Sequence, residues 1–271
     1  MPELAEVEYY RRVWAESLGL PVTGVLLHPE ARVFRGCLQP LDTLNRLNGA
    51  TFNQALAHGK QLLFGFEAAG WLGIHLGMSG QLRCEAKDSV QDRHDHLILR
   101  LPGRSLVFHD PRMFGRVRFD AATDLPDWWT QQPPDLLSPG FTRERLDAFL
   151  LKRGGTPIKA LLLDQSIFPG IGNWMADEIL WRSRIHPATP ARQLAASAGE
   201  RLWRTTREVT EDALRVIAPD WGDAPDDWLF NHRWKDGGFC PRPRCRSPLS
   251  RADLRGRTTC WCPKCQKSAT S

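Results

Sequence analysis

Four cysteines near the end of the chain, Cys240, Cys245, Cys262 and Cys265, are spaced C-x4-C-x16-C-x2-C. Two close pairs with a short connection restrict this segment to a fold in which two tight turns face each other. Such turns suit tetrahedral thiolate coordination, so the expected cofactor is one structural zinc ion. Cys262-Pro263-Lys264-Cys265 is the stronger knuckle. The pair Cys240 and Cys245, around Pro241-Arg242-Pro243-Arg244, is wider. Disulfides are disfavoured, since Cys37 and Cys84 stand alone and no signal peptide is read. Cys260 leaves one alternative open. In a strand, positions 260 and 262 face the same side, so Cys260 competes as a ligand.

Charge adds a partner to this picture. The chain carries +5 overall, yet residues 228–271 hold ten Lys or Arg against two Asp, which makes that segment +8 and the remainder −3. A basic zinc module on a nearly neutral body predicts a phosphate backbone as partner, the alternative being a merely solvated basic face. No apolar run is long enough to cross a membrane and no targeting segment is read, so a cytoplasmic, nucleoid-associated protein without membrane contact is expected.

Residues 161–174, Leu-Leu-Leu-Asp-Gln-Ser-Ile-Phe-Pro-Gly-Ile-Gly-Asn-Trp, read as a helix ending near Ser166, a turn at Pro169, Gly170 and Gly172, and a new helix with Asn173 as N-cap. A glycine-rich turn at a helix N-terminus is a ready phosphate site. An ordinary helical hairpin is the other reading.

The whole chain is expected to be α+β and multidomain. Residues 5–18 form a helix with Val7, Tyr10, Trp14 and Leu18 on one face and Gly19 as stop. Residues 22–119 are short apolar or alternating runs cut by Gly, Pro and Asn, a β-sandwich pattern with strands at 61–66, 73–76, 97–101 and 105–108. The predicted divisions are residues 1–125 for the N-terminal helix and sandwich, 126–140 for a proline-rich linker, 141–227 for a helical domain and 228–271 for the zinc module. A long helix is expected at 198–217, with Leu202, Thr206, Val209, Ala213 and Ile217 in register. Most of the eleven tryptophans are expected to pack in the core.

The opening Met1-Pro2-Glu3-Leu4, the glycine hairpin and the cysteine module together resemble the formamidopyrimidine-DNA glycosylase/endonuclease VIII family over the whole length. The resemblance implies a helix-two-turn-helix in the helical domain and a β-hairpin zinc finger. It also implies a bifunctional DNA glycosylase and AP lyase of base excision repair, excising oxidised bases and cutting the strand by β,δ-elimination. Its partner would be double-stranded DNA with oxidised bases or abasic sites, and the protein would be a monomer. In that family methionine is removed and the exposed proline attacks the sugar C1′ to form an iminium. Terminal amines titrate at roughly 7.7–8.0, so such an amine is partly unprotonated near neutral pH.

By resemblance, Pro2 is the nucleophile and Glu3 the general acid, with Glu6 at a further acidic position. Lys60 and Arg257 are phosphate-holding residues that assist elimination. Lys159 and Asn173 would bind phosphate from the hairpin, and His94 would contact DNA. A His94-x-His96 metal site lacks a third ligand. Residues 75–80 and 110–115 resemble the void-filling loops of the formamidopyrimidine branch: Met78 fills the vacated space, Phe114 wedges into the stack and Arg112 meets the orphaned base.

Three departures stand out. Ala5 replaces a usual second proline, the first cysteine pair is x4 in place of x2, and residues 218–227 look shorter than the family's loop over an everted 8-oxoguanine. The alternative to an enzyme is a catalytically silent zinc-containing protein that binds damaged or structured DNA.

Overall fold

The first helix begins on a reciprocal pair of glutamates. In the computed structural model, which describes all residues except 29, 30, 36, 38, 88, 235 and 269–271, α1 spans Leu4–Ala15 with Glu3 as N-cap. The Glu3 N–H donates to Glu6 Oε2 at 3.1 Å, and the Glu3 carboxylate accepts from the Glu6 N–H. This capping box satisfies two donors that a helix start otherwise leaves open. Val7, Tyr10 and Trp14 are buried as expected, whereas Leu18 is 43% exposed. The helix stops at Ala15 and turns out through Gly19 at φ 86°, so Leu18 leaves the helical register.

The chain folds as two compact units, Met1–Gln132 and Pro133–Ser271. In the first, β1 (Gly24–Leu27) and a short α2 (Pro40–Leu44) precede seven strands. These are β2 (Phe52–His58), β3 (Gln61–Phe66), β4 (Gly70–His75), β5 (Gln81–Ala86), β6 (Asp95–Leu101), β7 (Arg104–His109) and β8 (Arg116–Asp120). They form two antiparallel sheets, ordered β1-β6-β7-β5 and β2-β3-β4-β8. Leu62, Phe64, Leu72 and Ile74 of one sheet share a core with Leu97, Leu99, Leu106 and Phe108 of the other, joined by Trp14 of α1. Each such side chain contributes roughly 1.5–3 kcal/mol on burial.

The segment read as a linker carries structure of its own. Helix α3 (Asp127–Thr130) lays Trp128 under the Arg118 guanidinium, 4.0 Å from the ring centre, while the Trp128 indole N–H donates to Asp120 at 3.0 Å. Further on, Leu136 is fully buried, and Arg207 donates to the carbonyls of Leu136, Leu137 and Ser138.

In the second unit, α4 (Arg143–Lys152) is capped by Thr142, whose hydroxyl accepts from the Arg145 N–H at 3.2 Å. Then come α5 (Ile158–Leu162), α6 (Asn173–Ser183) and α7 (Ala196–Val216). On α7, Leu202, Thr206, Val209 and Ala213 are buried in register. The helix before the glycine turn ends at Leu162, four residues earlier than expected, because Asp164 folds the chain into a turn: its side chain accepts from the Ser166 N–H and hydroxyl, and its carbonyl accepts from the Phe168 N–H. The last elements are β9 (Ser250–Asp253) and β10 (Thr258–Trp261), an antiparallel hairpin. Arg255 and Gly256 at its tip both have positive φ, and Leu254 and Arg257 exchange backbone hydrogen bonds across it. That is the backbone pattern of a two-residue type I′ turn, whose twist matches the flanking strands. No helix among the described residues is long and apolar enough to cross a membrane.

Candidate functional site

In the first unit one buried carboxylate organises two loops. Asp110 is fully buried, and its Oδ1 accepts from the Ser79 hydroxyl at 2.6 Å and the Arg112 N–H at 3.3 Å. Its Oδ2 accepts from the Gly115 N–H at 2.7 Å. Residues 76–80 and 110–115 are thereby tied to each other. The backbones also touch: a Cβ on Gly77, at φ 64°, would stand 2.5 Å from the Phe114 carbonyl carbon. Glycine is required there on both counts. Out of this frame Met78 and Phe114 project 39% and 48% exposed, with the Arg112 guanidinium 4.9 Å from the Phe114 ring centre. Two large apolar groups held in water by a rigid base are suited to entering an apolar space such as a base stack.

His94 belongs to the same neighbourhood. Its carbonyl accepts from the Asp110 N–H, and its ring meets His109 edge-on at 5.8 Å. His96 instead turns inward, its Nε2 2.9 Å from the Asp110 carbonyl oxygen. Lys60 sits in the two-residue turn between β2 and β3, where His58 pairs with Gln61. It contributes, behind burial, to holding the His75 pKa below the ordinary 6.5, together with Arg116 and Arg118. The His75 Nδ1 accepts from the Gly77 N–H at 3.1 Å, so a neutral ring carries its proton on Nε2. Pro2 precedes α1 and is half-buried. Glu3, at its N-cap, is 3% exposed.

In the second unit the corresponding anchor is Asp177 on α6. It is buried, with Oδ1 accepting from the Lys159 ammonium and Oδ2 from Arg233 Nη2 at 2.6 Å, Arg233 Nε at 3.1 Å and the Cys260 N–H at 3.1 Å. One carboxylate therefore ties α5, α6, the 233 region and β10 together. The expected phosphate contact at Lys159 is corrected by this geometry: its side chain is fully enclosed, and its ammonium is spent on Asp177 and on the Asn173 carbonyl at 2.8 Å. Lys159 positions the start of α6.

Asn173 also departs from expectation. The N-cap is Gly172, and Asn173 is the first helical residue. Its side-chain amide reaches across to the Thr258 carbonyl at 2.8 Å, next to exposed Arg257 at the end of the hairpin tip. Asn173 and Arg257 are thus brought together. The glycine turn itself is clamped by Gln165, which accepts from the Gly170 N–H at 3.1 Å and donates to the Ile171 carbonyl at 2.9 Å.

The four expected cysteine sulfurs converge within 4.8 Å of one another. Cys240 and Cys265 stand 3.9 Å apart, and Cys245 and Cys262 3.6 Å. Four thiolates each about 2.3 Å from one zinc ion would stand about 3.8 Å apart, so the donor set fits the ion. The Cys265 N–H points at Cys262 Sγ and the Trp181 indole N–H at Cys240 Sγ, donors that suit thiolates. Cys260 lies outside this cluster. Strand β10 ends at Trp261, so the strand alternation that linked 260 to 262 does not persist; Cys260 packs in the same apolar cluster as Trp181 and Leu229 beside the four sulfurs without joining them.

The sequence reading missed the roles of Asp110, Asp177, Arg233 and Gln165. A visible signal existed for Asp177, since adjacent acids inside an apolar helix imply buried partners. It existed also for the alternation Arg116-Val117-Arg118, which puts two cations on one strand face.

Family models match both units. The formamidopyrimidine-DNA glycosylase N-terminal domain matches residues 1–117, and the formamidopyrimidine-DNA glycosylase H2TH domain matches residues 133–219. A formamidopyrimidine-DNA glycosylase of Roseiflexus sp. (strain RS-1) is 35% identical over 285 residues, covering 98% of this chain and all of the relative. A Thermus thermophilus protein of the same name is 35% identical over 282 residues, covering 98% of each. Among solved structures, wild-type Lactococcus lactis Fpg (MutM) in complex with DNA containing an oxidised pyrimidine superimposes with a TM-score of 0.87 at 26% identity. MutM in complex with DNA containing carbocyclic 8-oxo-G does so with 0.86 at 27%. Each covers 98% of this chain and the whole of the other.

Proposed function

The chain belongs to the formamidopyrimidine-DNA glycosylase family, and from that premise we propose that it excises oxidised bases from duplex DNA and then cleaves the resulting abasic site. The observation that carries this reading is the pair of loops fastened on Asp110, which hold Met78, Arg112 and Phe114 outward, as groups that fill the gap left by an extracted base would be held.

The chemistry follows from the start of α1. Once Met1 is removed, Pro2 is a secondary amine whose nitrogen lone pair attacks C1′ as the damaged base departs. Glu3 protonates the ring oxygen, the sugar opens, and the C1′–N bond becomes an iminium. The iminium withdraws electrons so that the C2′ proton can be lost and the 3′ phosphate expelled. A second elimination expels the 5′ phosphate, and water then hydrolyses the link to regenerate Pro2. Lys60, Asn173 and Arg257 hold backbone phosphates during these steps, and His94 contacts the DNA. Lys159 acts behind Asn173. Zinc bound by Cys240, Cys245, Cys262 and Cys265 supplies folding energy to the hairpin that presents Arg257. We place the enzyme as a monomer in the cytoplasm, associated with the nucleoid.

Lesion choice rests on residues 218–227. Among them Trp221 is 45% exposed, and the Asn231 side chain ties down the carbonyls of Ala224 and Pro225. A short, fastened segment offers few groups to an everted purine. Each lost hydrogen bond is worth on the order of 1 kcal/mol, so 8-oxoguanine excision is expected to be weak relative to abasic-site cleavage.

The test is mass spectrometry for loss of Met1, followed by borohydride trapping on abasic DNA. Pro2→Gly should reduce trapping sharply, and Glu3→Gln should slow base excision more than cleavage of a pre-made abasic site. Undiminished trapping by a form that retains Met1 would remove Pro2 from its role.

A further inference from the structure

The register of the second sheet gathers cations that, among the described residues, no carboxylate ion-pairs. His58, Gln61, His75 and Arg116 stand opposite one another across β2, β3, β4 and β8, forming one cross-strand row. Two residues along the strands, and so on the same face, Leu63, Gly73 and Arg118 form the next row. Gly73 is essential to it: a Cβ there would stand 2.7 Å from Arg118 Cγ and 2.9 Å from Trp128 Cζ2. Its absence lets Arg118 lie across the strand.

A cleft of about 330 Å³ opens over these rows, lined by Arg35, Gln61, His75, Phe114, Arg116 and Arg118. None of the lining residues is acidic. Among the described residues, Arg35, Arg116 and Arg118 have no carboxylate within ion-pair distance. Asp120, the acid that acts on Arg118, is engaged by the Trp128 indole. Arg35 is aimed by its bond to the Met113 carbonyl at 3.4 Å, within the same loop that carries Phe114. Three guanidiniums, an amide and an imidazole N–H converge here with no ion-paired carboxylate among the described residues, and Asp120 acts on Arg118 only from a distance, so a bound anion would relieve their mutual repulsion.

We propose that Arg116 and Arg118 complete a phosphate seat in this cleft, which takes one phosphodiester of the DNA strand entered by Phe114. The inference rests on the DNA-processing role proposed above and adds residues to it. Guanidinium forks match the paired oxygens of a phosphodiester, and the wedge forms one wall of the cleft. The nearest anion once Phe114 enters the stack is therefore a backbone phosphate beside the gap. Since His75 Nδ1 is already an acceptor, its Nε2–H adds a donor to the same seat.

The test is the salt dependence of binding to a duplex carrying a tetrahydrofuran abasic analogue, measured on the full chain by fluorescence anisotropy. The double variant Arg116→Gln/Arg118→Gln should bind about tenfold more weakly, and its log–log salt slope should be shallower by about 1. Arg116→Lys/Arg118→Lys should recover the slope, which separates lost charge from misfolding. Arg204→Gln, an exposed charge on α7 paired with Glu208, should behave as the unaltered protein. An unchanged slope in the glutamine variant overturns the seat. So does protection of the unaltered protein by inorganic phosphate, lost in the glutamine variant while its DNA binding stays intact. If the unaltered protein fails to bind the duplex at all, the glycosylase reading itself falls.

Discussion

Asp110 in the first unit and Asp177 in the second are both buried anchors, and the two are satisfied in opposite ways. Asp110 accepts from a hydroxyl and two backbone amides, all neutral, and so arranges loops at the surface. Asp177 faces Lys159 and Arg233, both buried cations, plus the Cys260 amide, and so joins helices to the zinc hairpin. Neutral donors can be re-satisfied by water when a loop shifts, which leaves the wedge adjustable. Two buried cations cannot be left behind, so the hairpin and the 233 region are locked to α6 as one piece. The difference suits the proposed roles, a wedge that enters a base stack and a clamp that holds a DNA backbone.

The comparison is broken most severely at the metal. With zinc held by the four cysteines, its removal should release the hairpin, since binding of a structural zinc supplies on the order of 10 kcal/mol. One zinc per chain is expected by elemental mass spectrometry. Chelation after thiol modification should expose residues 233–267 to trypsin and leave the first unit resistant. Cys240→Ser should lose the metal, and Cys260→Ser should keep it. The reverse pattern would mean that the ligand set is wrong.

Next in size is Asp177→Asn. Removing one charge from this buried cluster leaves Lys159 and Arg233 uncompensated, at a cost of about 3–5 kcal/mol. Urea unfolding followed by tryptophan fluorescence should show the loss in the second unit's transition. Adding Lys159→Met should recover part of it, because the two sites share one interaction. Additive losses would mean that Asp177 is not the common anchor.

Asp110→Asn should cost less in stability, about 1–3 kcal/mol, since an amide keeps one acceptor and turns its N–H₂ on a former donor. Its larger consequence should be functional. The wedge loops lose their tie, so base excision should slow more than cleavage of a pre-made abasic site. Equal slowing of both, in single-turnover assays, would separate Asp110 from the wedge.

These anchors mark the limit of what the sequence disclosed. The strands at 61–66 and 97–101, the long helix and the four cysteines were legible because each is a local pattern of alternation, helical period or spacing. Asn173 was legible as important and misread as an N-cap, since a side chain that bonds Thr258, far along the chain, leaves no local sign. Lys159 was misread for the same reason: a lysine beside a phosphate-type turn looks exposed until Asp177 encloses it. The cleft over His75 depends on cross-strand register between β3, β4 and β8, which alternation alone does not fix.

The smallest effect concerns one histidine in each unit. His75 and His186 both have pKa values below the ordinary 6.5, but for different reasons. Burial is the first cause at His75, and Lys60, Arg116 and Arg118 add to it. At His186 burial acts alone. In each case the unfolded chain takes up a proton as pH falls below 6.5 and the folded chain resists it. Stability contributed by the neutral ring is therefore intact at higher pH and is lost as pH drops through this window. NMR titration of the imidazole Cε1–H signals should place both midpoints below 6.5. Raising salt screens nearby charges, so the His75 midpoint should climb while that of His186 stays. Arg118→Gln should raise the His75 midpoint alone. If salt moves both midpoints equally, the field at His75 is not the work of the neighbouring cations, and the contrast between the two units disappears at this position.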